Sequence, residues 1–147
     1  MDGRSLRSHC PINFGLESFG DKWSLLILRD ILFRGKRSYK DFLTSEEGFA
    51  SNILVARLKY LEDEDILEKR SDPEDARRSL YYLTEKGLDL IPMLFEMILW
   101  SSKYDPRSEA RRINQLLDLI RRDNRKISQK IIARARAGQA LFPEYLD

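Results

Sequence analysis

Residues 36–83, KRSYKDFLTSEEGFASNILVARLKYLEDEDILEKRSDPEDARRSLYYL, contain two short helical patterns, a glycine turn between them and a charged hairpin. Ser38 suits a helix N-cap, Asp41 stands three positions on as in a capping box, and the apolar pair Phe42 and Leu43 follows. The second pattern runs from about Ser51 to Asp63. Glu46, Glu47 and Gly48 read as the turn between them, with Gly48 free to take the positive φ that a sharp reversal needs.

On a wheel at 100° per residue, Ala50, Leu54, Leu58 and Leu61 fall together and face a core. Ser51, Asn52, Val55, Ala56 and Lys59 lie opposite and are small, amide or cationic. Such a flank fits the major groove of duplex DNA: small residues permit close approach, Asn52 can pair bidentately with adenine, and Lys59 can meet guanine or phosphate. The plainer alternative is an ordinary solvated face. Arg57 falls on the core side, where pairing with a carboxylate competes with a phosphate contact.

Leu67–Arg70 and Ser79–Leu83 have strand character, with Tyr81 and Leu83 on one face and Leu80 and Tyr82 on the other. The loop from Ser71 to Arg78 begins a turn at Asp72-Pro73 and ends in Arg77 and Arg78. A helix pair followed by a hairpin with basic residues near its tip is a winged helix-turn-helix, whose loop can reach the minor groove or flanking phosphates. Pairing of Arg77 and Arg78 with Asp72, Glu74 and Asp75 is the competing reading. The fold expected is mainly α with a small β-hairpin.

Outward from this centre, residues 1–9 read as a flexible arm. Pro11 and Gly20 bound a short helix, Pro11–Phe19, with Cys10 at its N-cap. A thiol there feels the helix dipole and, with Arg7 and His9 close in sequence, has reason to carry a lowered pKa. Asp21 caps a helix from Lys22 to about Phe33 that is apolar on nearly every side. Arg34–Arg37 is a basic connector placed to lie on the DNA backbone, so Lys36, Arg37, Ser38 and Tyr39 join the candidate contacts. Thr84 caps a long helix to about Tyr104, kinked at Pro92. Its apolar arc exceeds what one small domain covers. Ile91, Leu94, Phe95, Ile98 and Leu99, with Ile12 and Leu16 of the first helix, are therefore the expected dimer interface; ordinary core is the alternative.

With 147 residues the chain suits one domain with extensions. Its wholly apolar runs, such as Leu25–Leu28, are too short for a membrane-spanning helix or a secretory segment, so no membrane association is expected and the cytoplasm is the default address. Residues 1–106 hold 16 Lys and Arg against 19 Asp and Glu, a net of −3, whereas residues 107–136 hold 10 against 3, a net of +7. That basic stretch repeats Ile113, Leu116, Leu117, Ile120, Ile127, Ile131 and Ile132 at helical spacing, giving one or two amphipathic helices to about Gly138. A single His, a single Cys, no glycine-rich phosphate loop and no metal-ligand spacing speak against an enzyme, a metal site or a cofactor. One cysteine also allows no disulfide within the chain.

The stretch from Cys10 to Pro106 resembles the HxlR-type transcriptional regulators, winged-helix proteins similar to the MarR group. The resemblance rests on Cys10-Pro11, Gly20-Asp21-Lys22-Trp23 leading into Leu25-Leu26-Ile27-Leu28-Arg29, Ser38-Tyr39-Lys40-Asp41-Phe42, and Asn52-Ile53-Leu54. Arg57-Leu58-Lys59-Tyr60-Leu61-Glu62, Leu83-Thr84-Glu85-Lys86-Gly87 and Pro92 complete it. Two positions depart: Ala50 stands where the family usually carries a capping Ser, and Asp65 where it usually has Gly. The resemblance implies residues 10–106 as the winged helix-turn-helix with terminal dimerisation helices, residues 107–147 as a basic helical extension, and a homodimer acting on two-fold-related DNA. In some HxlR-type members a Cys at this point senses oxidants or electrophiles, which makes Cys10 a candidate sensor; the alternative is a small residue with no regulatory role. The effector stays open. The competing function is a winged-helix module for protein contact.

Overall fold

The computed structural model describes residues 5–137, so positions 1–4 of the expected arm and 138–147 of the extension lie outside the described residues. The chain divides into two compact units, one up to Glu85 and one from Lys86. The division falls within a short helix.

In the first unit the elements run α1 (Pro11–Phe19), α2 (Ser24–Arg34), α3 (Tyr39–Leu43), α4 (Ser51–Asp63), β1 (Leu67–Ser71) and β2 (Ser79–Leu83). Gly20 closes α1 by donating its N–H to the Leu16 carbonyl at 2.8 Å, and a Cβ there would sit 2.4 Å from that oxygen, so no larger residue fits without a shift. The α2 helix starts two residues later than expected, but Asp21 still serves its start: its carboxylate accepts the N–H groups of Trp23 and Ser24 and the Ser24 hydroxyl. Burial on α2 is less complete than its sequence suggests. Ile27, Leu28, Ile31 and Leu32 are buried, while Leu25, Leu26 and Phe33 are only half-buried.

Ser38 and Asp41 form the expected capping box at α3, each side chain accepting the other's backbone N–H. Gly48 takes φ +71° in the turn before α4. Phe49 then packs on Trp23, ring centroids 4.9 Å apart, a core contact that the turn sequence did not announce. Leu54, Leu58 and Leu61 hold α4 to the core, each worth roughly 1.5–3 kcal/mol of burial. Ala50, expected to face the core with them, is instead the exposed N-cap residue in extended geometry, just outside a helix that starts at Ser51 as its pattern indicates. Asp65 adopts φ +60° to turn the chain from α4 into β1. The strands pair antiparallel with Leu67 opposite Leu83, Lys69 opposite Tyr81 and Ser71 opposite Ser79.

The second unit follows a different plan from the single kinked helix expected. α5 (Glu85–Leu88) stops, and α6 (Ile91–Tyr104) begins afresh with Pro92 in its first turn. Proline is at home there and would clash inside a continuous helix, so it marks a start and not a kink. After a short 3₁₀ turn, Glu109–Ile113, α7 (Asn114–Arg136) runs to the end of the described residues with an extended break at Asp123. It packs along α6, with Leu116, Leu117, Ile120, Ile127 and Ile131 buried. Asn124 fixes the pair, donating its side-chain amide to the Pro92 carbonyl at 3.0 Å and to Glu96 at 2.5 Å. Among the described residues no helix is long and apolar enough to cross a membrane.

Candidate nucleic-acid interface

α4 presents the flank that its sequence pattern marks. Ser51, Asn52, Ala56 and Lys59 are exposed, and Val55 is 55% exposed. The side chains of Ser51 and Asn52 make no hydrogen bond among the described residues. Lys59 pairs with Asp63 one turn along at 3.2 Å, a solvated contact that a stronger anion displaces at little cost. The opposite flank is anchored, and at its edge Arg57 lies 3.4 Å from Asp21 and stacks on Tyr60, whose hydroxyl donates to the Glu17 carbonyl of α1. Arg57 thus takes the carboxylate-paired arrangement. Burial raises the Asp21 pKa, but the hydrogen bonds from Ser24 and Trp23, with Arg57 nearby, outweigh it and hold the carboxyl below its usual range.

Two expected contacts are turned into the protein. Ser38 is 2% exposed and its hydroxyl accepts the Asp41 N–H, so it caps α3 from inside the protein. Lys36 directs its ammonium to the Ser45 hydroxyl at 3.1 Å, with Asp30 3.9 Å away. Arg37 is half-buried and its guanidinium stacks on Tyr82 at 4.8 Å, while Arg70 stacks on the same ring at 4.1 Å. Tyr39, at the first position of α3, is half-buried.

Asp30 is the residue that sequence reading passed over. It is fully buried near the end of α2, where an apolar helix offered no reason to look for a charge. Arg29 donates to it twice, at 2.9 and 3.0 Å, Arg34 lies at 3.7 Å, and the Ser45 hydroxyl donates to its other oxygen. Arg29 also forks onto Glu47 at 2.5 and 2.9 Å. That hydrogen bond lowers the Glu47 pKa to about 2. α2 is thereby tied to the turn that launches α4.

At the wing tip the basic residues are paired locally. Arg77 reaches Asp75 at 3.2 Å with its side chain 92% exposed, and Arg78 reaches Asp72 at 3.0 Å. Arg77 depresses the Asp75 pKa through this contact. Asp72 and Asp75 also accept the N–H groups of Glu74 and Arg77, so the loop shape comes from its own carboxylates.

The apolar residues proposed for self-association divide. Ile12 and Leu16 on α1 are 75% and 55% exposed, Ile98 and Leu99 are half-buried, and Ile91, Leu94 and Phe95 are buried within the protein's own fold. The last three are core: α7, whose packing on α6 no sequence count supplied, covers much of the arc that a partner was expected to cover. Met97, Trp100 and Tyr104 are the exposed apolar residues of α6 instead. Cys10 is exposed at the start of α1, and the N–H groups of Asn13 and Ile12 lower its thiol pKa. Arg7 has no part in that, since its guanidinium turns to Glu17 at 3.8 Å. No cluster of metal-ligating side chains occurs among the described residues.

A three-helix body with a turn-launched, outward-facing helix and a two-stranded wing is a winged helix-turn-helix. The chain belongs to the HxlR-like helix-turn-helix family, whose model matches residues 18–109. It is 35% identical over 88 residues to sll1512, an HTH-type transcriptional regulator of Synechocystis sp., covering 60% of this chain and 64% of that one. The HTH-type transcriptional regulator YodB of Bacillus subtilis is 30% identical over 96 residues, covering 65% and 85%. The reduced form of YodB superposes with a TM-score of 0.54 at 27% identity, covering 69% of this chain and all of that one. Crystalline PA1607 superposes at 0.62 with 32% identity, covering 70% and 72%. YodB has also been solved quinone-bound and diamide-treated. The chain spans about three fifths of the length of sll1512 and of the mycobacterial regulators it also matches.

Proposed function

We propose that this protein is a DNA-binding transcriptional regulator acting as a homodimer on a two-fold-related operator. The observation that carries the reading is the free flank of α4, where Ser51, Asn52, Val55, Ala56 and Lys59 stand outward while three leucines hold the other side. Asn52 reads a base edge, Lys59 a guanine or phosphate, and Arg77 and Arg78 at the wing tip the flanking backbone. Arg37 and Tyr39 stand near the start of α3 as backbone contacts, and Lys36 and Ser38 act by shaping that start. Ile12 and Leu16 of α1 and, separately, Met97, Trp100 and Tyr104 of α6 are apolar surfaces for a second copy. Family membership and relatives named as HTH-type regulators support the same reading.

Selection of bound sequences from a random duplex pool tests it. A two-fold motif with half-sites roughly 34 Å apart, or a multiple, is the expected result. No preference for any duplex at moderate salt would favour a module for protein contact.

A second reading concerns Cys10, exposed and with a lowered thiol pKa, in a chain similar to a regulator solved with quinone. Operator affinity before and after quinone or peroxide is expected to change in the wild type and stay constant in Cys10→Ser. Equal responses would remove Cys10 from the mechanism.

A further inference from the structure

The family match ends at residue 109, yet the chain folds on through α7 to Arg136. One side of α7 is fixed inward by Leu116, Leu117, Ile120, Ile127 and Ile131, and the Ser128 hydroxyl donates to Asn124 at 2.7 Å beside them. The other side is therefore obliged to face water, and it is cationic. Arg122, Arg125, Lys126 and Lys130 are exposed, and none pairs with a carboxylate among the described residues. The two carboxylates of α7 are engaged elsewhere. Asp118 pairs with Arg121 at 3.2 Å, and Asp123 accepts the Lys126 N–H at 3.1 Å to restart the helix after its break. From Asn124 to Arg136 there are five cations and no acid.

We infer that the outer face of α7, through Arg122, Arg125, Lys126 and Lys130, is a second and sequence-independent binding surface for the phosphate backbone of duplex DNA. The inference rests on the reading of this chain as a DNA-binding protein. Residues 1–106 carry a net −3 and so give a polyanion no long-range attraction, whereas residues 107–136 carry +7 and do. Uncompensated cations on α7, Arg122 before the Asp123 break and the other three after it, gain from releasing the counterions condensed on a duplex. An anionic bilayer is a poorer partner, because membrane-surface helices insert an apolar face and the one on α7 is already buried in the fold.

The test replaces all four residues by glutamine in the full chain and measures affinity at several salt concentrations for a selected duplex and for a random duplex of equal length. Because the four side chains are exposed and unpaired, the helix content should match the wild type by circular dichroism. Both affinities are expected to fall together, on the order of tenfold or more near physiological salt, and the salt dependence to become shallower by about 0.9 per lost phosphate contact. A variant exchanging Arg for Lys and Lys for Arg at the same positions should behave as wild type. An unchanged salt dependence, a loss confined to the selected duplex, a loss that accompanies a changed oligomeric state in sedimentation, or wild-type binding to anionic vesicles without binding to duplex would each overturn the inference. Selective binding with an unaltered slope would sink the α7 surface alone. Salt-dependent binding without sequence preference, abolished in the glutamine variant, would sink the operator reading and leave the α7 surface standing.

Discussion

Two charged clusters in the first unit, around Asp30 and at the wing tip, use the same chemistry to opposite ends. Asp30 has no accessible surface and gathers Arg29, Arg34, Lys36 and Ser45 around one carboxylate. At the wing tip the Arg77–Asp75 pair is exposed to solvent, whereas the half-exposed Arg78 pairs with the buried Asp72. A fully buried carboxylate deprived of its partners has no water to fall back on, so the Asp30 cluster is bound into the fold. Arg77 keeps water as an alternative partner, which leaves it free to exchange its loop carboxylate for a phosphate. Cations that hold the turn before α4 are thus distinct from cations available to a partner, although both kinds look alike in the sequence.

The largest expected effect comes from breaking the buried cluster. Asp30→Ala should destabilise the protein by about 3–5 kcal/mol in urea unfolding, with Asp30→Asn losing less because it can still accept the Ser45 hydroxyl. A loss below about 1 kcal/mol for Asp30→Ala would erase the contrast. Next is the outward flank of α4. Asn52→Ala should leave the unfolding midpoint where it is but cut discrimination between the preferred base pair and its alternatives by about 1–3 kcal/mol, read from competition binding.

Acid should then separate the two clusters. Glu47 is held at a pKa of about 2 against an ordinary 4.5, so it contributes stability that is complete above about pH 4.5 and lost as pH falls toward 2. Glu47→Gln should flatten that limb of the urea midpoint against pH. Asp75→Asn at the exposed tip should change it much less, because solvent screens the Arg77 contact that lowers the Asp75 pKa. The smallest effect belongs to Arg77→Ala: stability within about 0.5 kcal/mol of wild type, with DNA affinity lowered alike for all sequences and a salt slope reduced by about 1. A stability loss comparable to that of Asp30→Ala would show that the wing tip, too, is structural.

Local signals carried most of the first unit. Ser38 with Asp41, Gly48, the Leu54, Leu58 and Leu61 spacing, and the alternation from Ser79 to Leu83 are each complete within one or two turns of chain, and each element formed where those signals stand. The start of α2 alone moved, by two residues, since the Asp21 carboxylate accepts the N–H groups of Trp23 and Ser24 and the regular helix follows it. The role of Pro92 is not legible in the sequence: its effect depends on whether it falls in the first turn of a helix or the middle, and the break at Asp89-Leu90 has no strong sequence mark.

The directions of long side chains were not legible. Lys36 and Arg37 belong to a basic run, and nothing local distinguishes an ammonium that points to phosphate from one that points to Ser45. The same holds for Ile91, Leu94 and Phe95, where a wide apolar arc states that something covers it without stating what.

What the sequence determined by itself was the series of helices and the hairpin, their caps and turns, and the polarity of each face, because these depend on neighbours within about four residues. What only the tertiary structure decided was which charges and which apolar faces remain outside. That outcome depends on elements distant in the chain, such as Ser45 meeting Asp30 or Asn124 meeting Pro92, and distance along the chain carries no record of such meetings.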